Sequence, residues 1–184
     1  MTIWFTADLH LGHDNIIGYC NRPFKDVKEM NERLIEGWQS SVEEKDSIYV
    51  LGDISFMKYG ETEPIIKDLP GKKYWIRGNH DSNRLVDEIG HHFKWINDYW
   101  ELKREGWRLI LSHYKMEDWH GCPRGSLMLH GHSHGPNPYS GVENRIDVGV
   151  DAWEYEPVSL PALKTYATLR QRMGKVDAVH RENT

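Results

Sequence analysis

Near its start the chain reads TIWFTADLHLGH, residues 2–13. Residues 2–7 are largely apolar and predict a short buried strand, which breaks off at the polar side chains of Asp8 and His10. Alternate residues of an extended backbone point to the same side, so we expect both side chains to reach one ion. An Asp-x-His pair is frequent by chance, so its meaning depends on whether the rest of the chain repeats the pattern.

The same arrangement of strand, sharp turn and polar side chain returns four more times. The predicted strands and their polar followers are residues 47–51 before Asp53, residues 73–77 before Asn79 and His80, residues 107–111 before His113, and residues 126–129 before His132 and His134. In open α/β sheets, ligands bind beyond the carboxyl ends of the strands. We therefore predict that five strand ends converge on one crevice.

The side chains at these strand ends are nitrogen and oxygen donors without a thiolate among them. The predicted metal ligands are Asp8, His10, Asp53, Asn79, His113, His132 and His134. This mixture suits Mn, Fe, Zn or Ni better than an all-oxygen Mg or Ca cage. Taken singly, each residue has a structural alternative as a turn or core residue. Seven donors together exceed the need of one catalytic ion and fit two ions that share a bridging carboxylate.

The alternation of strands and helices predicts an α/β layered fold, and no linker or repeat divides residues 1–184, so we expect one domain. The other predicted elements are a helix over residues 27–42 capped by Asp26, a short helix with Pro64 in its first turn, a hairpin of residues 95–102 and 107–111, a last strand over residues 145–150, a terminal helix over residues 159–173, and a loose tail over residues 174–184. The polar strand ends, rather than these elements, carry the functional prediction.

Composition narrows the class of protein. The net charge is −5 with no basic run, which argues against a dedicated nucleic-acid-binding module. Cys20 and Cys122 form no CxxC pair, which argues against a disulfide framework and a thiolate zinc site. No stretch reaches the length of a membrane span. We expect a soluble, cytoplasmic protein without a membrane partner, and the sequence leaves its oligomeric state open.

The order of these motifs resembles that of the calcineurin-like metallophosphoesterase superfamily. Asp-x-His, Gly-Asp, Gly-Asn-His-Asp, His and Gly-His-x-His follow one another between Asp8 and about Trp153. The segment DLHLGHDNIIGYCNRPF, residues 8–24, is similar to small bacterial and phage phosphoesterases of that superfamily. The resemblance implies a four-layer αββα sandwich, in which helices flank two mixed β-sheets.

The resemblance also implies a role for each side chain. Asp8, His10 and His134 would bind a first metal ion, Asn79, His113 and His132 a second, and Asp53 would bridge them. His80 would face the leaving group as the catalytic acid. We expect Asn79, Arg22 and His13 to contact the substrate phosphate, and a surface ion pair is the alternative for Arg22.

Two divalent ions, two carboxylates and one bridging hydroxide leave about one positive charge, which favours an anionic phosphate. We therefore predict an enzyme that hydrolyses phosphodiesters or phosphomonoesters by attack of a metal-bridging hydroxide. The expected cofactors are two divalent transition-metal ions, Mn²⁺ before Fe, Ni or Zn, and the expected substrate is a nucleotide or a nucleic-acid end. The alternatives are a phosphomonoesterase of small metabolites and a non-catalytic scaffold of the same fold.

One departure from the family pattern concerns the segment after Asp53. Relatives that act on phosphoserine and phosphothreonine carry a second aspartate and an arginine there, whereas this chain has ISFMK, residues 54–58. This argues against a protein phosphatase and leaves His80 without that carboxylate, for which Asp81 is a candidate substitute.

Further aromatic and histidine residues have two interpretations. Residues that either stack on a base or pack in the core are Tyr114, Trp119 and Trp153. Histidines expected to be structural or on the surface are His91, His92, His120, His130 and His180.

Overall fold

The structure, a computed structural model, describes residues 1–139 and 141–182, with side chains as far as residue 171. The strands are β1 (Ile3–Thr6), β2 (Ser47–Val50), β3 (Lys72–Ile76), β4 (Phe93–Asn97), β5 (Tyr99–Arg104), β6 (Trp107–Ser112), β7 (Leu127–His130), β8 (Arg145–Asp147) and β9 (Val158–Ser159). The α-helices are α1 (Asp14–Tyr19), α2 (Val27–Ser41), α3 (Thr62–Asp68), α4 (Asn83–Ile89) and α5 (Leu160–Glu182).

The strands form two mixed sheets. The first has the order β4-β3-β2-β1-β9, in which only β9 runs antiparallel to its neighbour. The second has the order β5-β6-β7-β8, in which β5 and β6 form the antiparallel hairpin. The predicted architecture of two mixed sheets with flanking helices is confirmed.

Strand alternation explains why the two sheets pack face to face. Along β2, Tyr49 and the following Leu51 join the core between the sheets, whereas Ile48 and Val50 face the helices. Along β6, Leu109 and Leu111 face the first sheet. Successive side chains of a strand point to opposite faces, so one run of apolar residues supplies two cores.

The helical face of the first sheet is covered mainly by α2. Its buried residues Met30, Leu34 and Trp38 recur at helical spacing. The helix begins at the Asp26 cap, whose side chain accepts the N–H of Glu29 as expected. This packing fixes the first sheet, and with it the ends of β1, β2 and β3.

The outer face of the second sheet has a different cover. Ile110 and Met128 pack there against Trp119, Met116 and other residues of the irregular segment between β6 and β7. This segment contains a short 3₁₀ helix, Cys122–Arg124. Irregular chain therefore covers these residues on the outer face of the second sheet.

Two predicted strands had wrong bounds. Residues 95–102 do not form one strand, because the chain changes sheets at Asp98: β4 pairs with β3, and β5 pairs with β6. Apolar and aromatic residues stand on both sides of Asp98 within two positions, so the two strands were predicted as one. The strand predicted over residues 145–150 ends at Asp147, a 3₁₀ helix over Val150–Ala152 follows it, and β9 is the last strand.

The sequence did not predict α1, α4 or β9, which are short and lack a full amphipathic period. The terminal helix was predicted to end at residue 173, but α5 continues to Glu182. A lone glycine, Gly174, costs a helix only about 1 kcal/mol, and no proline follows it. Residues 174–182, predicted as a loose tail, are helical, and residues 183–184 lie outside the described residues.

Within residues 1–139 and 141–182, no helix is both long and apolar enough to cross a bilayer.

The start of α3 depends on a side chain from α4. No side chain of α3 itself caps the helix, and Glu88 Oε1 instead accepts the N–H groups of Gly60, Thr62 and Glu63 at 3.0, 3.2 and 3.3 Å. The Glu88 side chain is buried, and its hydrogen bond from Thr62 is buried, whereas those from Gly60 and Glu63 are partly buried. We infer that Glu88 joins α3 to α4.

We expect Glu88→Ala to destabilise the protein by about 2 kcal/mol, because it leaves three partly buried donors without an acceptor. Glu88→Gln keeps an oxygen acceptor and should retain most of the stability. Urea unfolding followed by circular dichroism measures both. The exposed Glu36 of α2 is the control, and Glu36→Ala should change stability by less than about 0.5 kcal/mol. Equal effects of Glu88→Ala and Glu36→Ala would contradict the capping role.

Candidate metal centre

The structure brings the predicted ligands together at the carboxyl ends of β1, β2, β3, β6 and β7. Two groups have ligand atoms within 4.8 Å of one another, and they are Asp8 with His10 and His134, and Asp53 with His113 and His132. Asn79 joins the second group, since its Oδ1 lies 2.8 Å from His113 Nε2. The division into two sets matches the one that the family resemblance implies.

The carboxylate of Asp53 lies between the two groups. Its Oδ2 is 3.5 Å from Nε2 of His10 and 3.6 Å from Nε2 of His113. Its Oδ1 accepts the backbone N–H of His80 at 3.0 Å. One carboxylate oxygen therefore faces a histidine of each group, as a ligand shared by two ions would.

The backbone at the ligands is not extended, contrary to the reasoning from alternation. Of the nine non-glycine residues with positive φ in the described part of the chain, five are predicted ligands. They are Asp8 at 59°, His10 at 51°, Asp53 at 56°, His132 at 67° and His134 at 48°. Left-handed backbone costs a non-glycine residue about 1 kcal/mol or more and is often retained where function requires it.

Hydrogen bonds between the loops hold this left-handed backbone. The N–H of Asp8 donates to Gly52 O and that of His10 to Asp53 O, both at 3.0 Å. The N–H of His132 in turn donates to the Asp8 carboxylate at 2.8 Å. The side chains converge because each loop is bonded to its neighbour, and the strand period plays no part.

Asp81 fixes the loop that carries Asp53. Its carboxylate accepts the N–H groups of Asp53, Ile54 and Gly78 and the indole N–H of Trp75, at 2.7–3.0 Å. It is buried and fully occupied by these four donors. Asp81 therefore supports Asp53, and the suggestion that it could pair with His80 is wrong.

Close packing at Gly52 explains why a glycine precedes Asp53. The backbone there has φ +92°, and a Cβ atom would lie 2.5 Å from His113 Nδ1. Any side chain at this position would displace an imidazole of the second group.

Arg22 does not face the crevice, which contradicts the predicted substrate contact. Its side chain is fully buried and bonds both carboxylate oxygens of Asp151, at 2.8 and 2.9 Å. The guanidinium also donates to the backbone oxygens of Asp8 at 2.8 Å and Leu9 at 3.2 Å. With its donors engaged in this way, Arg22 holds the first ligand loop from behind and has none directed toward a phosphate.

Asp151 is a functional candidate that sequence reasoning missed. Its Oδ2 accepts a hydrogen bond from His134 Nδ1 at 2.9 Å, which leaves Nε2 of that ring for an ion. Carboxylates that orient a metal-binding histidine in this way are usual partners of such ligands. The residue lies in a 3₁₀ helix after the last motif, so no spacing in the sequence pointed to it.

Burial and mutual proximity shift the pKa values of the candidate ligands. Burial raises the pKa of Asp8 well above its usual range, and burial lowers the pKa of His10 to about 4. Burial opposes ionisation of Asp53 too, but the facing imidazoles of His10 and His113 outweigh it and lower its pKa to about 2. The shifts of His10 and Asp53 favour the neutral imidazole and the carboxylate that bind metal, whereas Asp8 must lose its proton when a cation binds.

The remaining polar atoms fit bound cations. Among the described residues, none offers a hydrogen-bond partner to the buried Nε2 of His10. His113 Nδ1 lies 2.8 Å from Leu51 O, and Nε2 of the same ring lies 2.8 Å from Asn79 Oδ1. A cation bound between Nε2 and Asn79 Oδ1 would engage both atoms. Burial raises the pKa of the neighbouring Cys20 thiol, which disfavours a thiolate ligand.

His80 and His13 lie at the mouth of the site around Phe56. The Phe56 ring centroid is 4.1 Å from that of His13, 4.9 Å from that of His80 and 5.0 Å from that of His10. His80 is exposed and belongs to neither group of candidate ligands. Phe56 lies in the segment where the protein phosphatases carry their second aspartate, and no sequence motif indicated that it would contact these rings.

The other aromatic and histidine candidates separate by burial. Tyr114 is 50% exposed and packs edge-on against His113 and His132, so it remains a candidate substrate contact. Trp119 is buried in the outer core, and Trp153 donates to Asp147 O. His130 is buried, and the side chain of His180 lies outside the described residues.

We expect Arg22→Ala to destabilise the metal-free protein by about 3–5 kcal/mol, since it leaves Asp151 buried without its cation. Arg33 is the matched control, because it also bonds a carboxylate, that of Glu156 at 2.7 Å, and a backbone oxygen, but its side chain is 34% exposed. Arg33→Ala should cost at most about 1 kcal/mol. Chemical unfolding in the presence of a chelator measures both, and equal losses would refute the positioning role of Arg22.

Comparison with known proteins shows the family to which the chain belongs. A family model described as calcineurin-like phosphoesterase matches residues 1–108. An uncharacterized protein of Methanocaldococcus jannaschii is 33% identical over 172 residues, which cover 86% of this chain and 86% of that protein. The gene 66 protein of Mycobacterium phage L5 is 31% identical over 182 residues, which cover 82% of this chain and 86% of that protein.

A solved structure has the same fold. The protein of unknown function AQ665 from Aquifex aeolicus superposes with a TM-score of 0.73 at 26% identity, over 89% of this chain and 98% of that one. The residues that match the family model end before His113, His132 and His134. In the structure, these three histidines lie beside Asp8, His10 and Asp53, which are within the matched residues. The chain therefore belongs to the calcineurin-like phosphoesterase family and is a metal-dependent phosphoesterase.

Proposed function

We propose that this enzyme hydrolyses phosphate esters with two divalent metal ions, one held by each group of ligands. The observation that carries the proposal is the position of Asp53, whose Oδ2 lies 3.5 Å from a histidine of the first group and 3.6 Å from one of the second. A single-ion site would give this carboxylate one set of partners. Mn²⁺, Fe, Ni and Zn all suit the mixed nitrogen and oxygen donors.

The residues of the chain hold the two positions in different ways. In the first, Asp8, His10 and His134 would be the ligands, with Asp151 and Arg22 behind them. In the second, the ligands would be His113, His132 and Asn79. When bound, the two ions would clamp phosphate oxygens and make a water molecule acidic enough to attack near neutral pH.

His80 would donate the proton that the leaving group needs. Its backbone is fixed by the hydrogen bond to Asp53, its ring packs against Phe56, and its side chain is exposed toward the mouth. A ring so placed can protonate a departing oxygen without serving as a ligand. His13, on the other side of Phe56, would contact the substrate phosphate.

The exposed Tyr114, Asn79 and His132 leave room for a substrate with a substituent on each side of the phosphorus. This favours a phosphodiester, with a nucleotide or a nucleic-acid end as the substrate class. A phosphomonoesterase of small metabolites is the alternative, and rates on mono- and bis-nitrophenyl phosphate separate the two. The scaffold alternative requires loss of ligands, and it is disfavoured because all seven candidate side chains are present and lie close together.

We expect the protein to hold two Mn²⁺ ions per chain and to lose hydrolysis of bis-nitrophenyl phosphate when a chelator removes them. Asp53→Asn should lower the metal occupancy of both positions, because it replaces one oxygen of the shared carboxylate by an amide nitrogen and removes the negative charge. His10→Ala should leave about one ion per chain, because it affects only the first group. Elemental analysis after dialysis against Mn²⁺ gives these numbers.

The exposed His120 is the control for this experiment, since it lies outside both groups. His120→Ala should keep two ions and full activity. A fully active protein with one ion per chain would exclude the dinuclear site, and unchanged content in Asp53→Asn would exclude the bridge.

We expect His80→Ala to keep both ions and to lose about 10²–10⁴-fold in kcat/KM on a nucleoside or alkyl ester, whose alkoxide is a poor leaving group. The loss on a nitrophenyl ester should be much smaller, because nitrophenolate leaves without a proton. Steady-state kinetics on both substrates, with metal content measured in parallel, make the comparison.

His13→Ala is the matched control, as it removes the imidazole on the other side of the same phenyl ring. Its loss should be similar on both esters, as expected for a phosphate contact. If His80→Ala also affected both esters equally, His80 would be a phosphate-binding residue and not the acid.

A further inference from the structure

A second set of metal-binding side chains lies apart from the catalytic crevice. Glu63 belongs to α3, and His91 and His92 belong to the 3₁₀ helix Gly90–His92 that follows α4. One ligand atom from each residue lies within 4.8 Å of the others. None of the three belongs to the groups around Asp53, and the proposed reaction does not use them.

The three side chains converge on one point. Nε2 of His91 and Nε2 of His92 are each 3.4 Å from the same oxygen, Glu63 Oε1. N–H···O hydrogen bonds prefer about 2.7–3.2 Å, so both separations are long for direct bonds. Ligands at about 2.0–2.1 Å from a tetrahedral ion lie about 3.3 Å apart, which is close to the observed spacing.

The elements that carry these residues are already joined. The buried Glu88 of α4 accepts the N–H groups at the start of α3, including that of Glu63 itself at 3.3 Å. The 3₁₀ helix with both histidines follows α4 directly. The distance from Glu63 to the histidines is therefore set by the packing of α3 on α4, which reduces the loss of side-chain entropy on binding.

We propose that Glu63, His91 and His92 form a separate site for a divalent transition-metal ion, with Zn²⁺, Ni²⁺ or Cu²⁺ as its ligand class. Two imidazoles and one carboxylate are the donors that such ions prefer, and Mn²⁺ binds them more weakly. Three protein ligands leave a fourth position to water. His91 is 58% and Glu63 45% exposed, so an ion reaches the site from solvent.

Such an ion would connect α3 to the end of α4 and stabilise the folded chain, because the unfolded chain does not bring the three residues together. Residues 57–61 connect the segment from Asp53 through Phe56 to α3. The ion would therefore anchor the far end of the segment that contributes Asp53 to the crevice. This role does not depend on the proposed phosphoesterase mechanism.

The test is a Zn²⁺ titration by equilibrium dialysis and elemental analysis on the full chain. The variant Glu63→Gln with His92→Asn should bind one Zn²⁺ per chain fewer than the wild type at saturation. It should keep the wild-type Mn²⁺ content and activity, since it leaves the crevice intact. Zn²⁺ should also raise the unfolding temperature of the wild type more than that of the variant.

The pair Glu101 and His120 provides the control, since Nδ1 of His120 lies 2.9 Å from Glu101 Oε1 without a second histidine in the group. Glu101→Gln with His120→Asn should keep the wild-type Zn²⁺ count. His91→Asn, which changes only an exposed side chain, should repeat the loss of one ion in a chain that folds normally. Equal Zn²⁺ counts in the wild type, His91→Asn and the double variant would overturn the proposal, and the three residues would then be a hydrogen-bonded surface cluster.

Discussion

The arrangement of the crevice depends on the position of one buried carboxylate, that of Asp53. Its Oδ2 faces a histidine from each candidate metal group, and its Oδ1 receives the N–H of His80. Asp81 accepts four hydrogen bonds, two of them from the backbone N–H groups of Asp53 and Ile54. Because strands β1, β2, β3 and β6 all end around this carboxylate, a shift of it would separate the two groups of ligands.

The crevice is costly for the fold in two respects. Five candidate ligands have left-handed backbone, and several charged groups are buried, among them Asp8 and the ion pair of Arg22 with Asp151. Strain and buried charge persist only where surrounding structure fixes them. Two apolar cores, one between the sheets and one under α2, supply that support, and bound cations would offset the buried negative charge.

The mouth of the crevice differs from that of the protein phosphatases that share the order of motifs. Phe56 lies among the rings of His10, His13 and His80, in the segment where those relatives have a carboxylate. An apolar ring restricts the imidazole by packing and adds no charge. His80 is therefore oriented by its backbone bond to Asp53 and by packing against Phe56.

The sequence by itself determined which nitrogen and oxygen donors follow the strands and the order of the strand ends that carry them. Each polar residue after a short apolar run marks the place where a strand leaves the sheet, so Asp8, Asp53, Asn79 and the later histidines could be found from local pattern. The two mixed sheets followed from the resemblance that these motifs carry. Short elements such as α1 and β9 could not be found, because they are stabilised by contacts across the fold and not by their own periodicity.

Only the tertiary structure decided which residues support the ligands. Arg22 and Asp151 are 129 positions apart, and nothing local indicates that their side chains meet behind His134. The left-handed backbone of the ligands likewise results from hydrogen bonds between loops, which no single segment encodes. Local pattern fixes where a chain turns and which atoms it offers, whereas the packing of distant segments fixes the direction in which those atoms point.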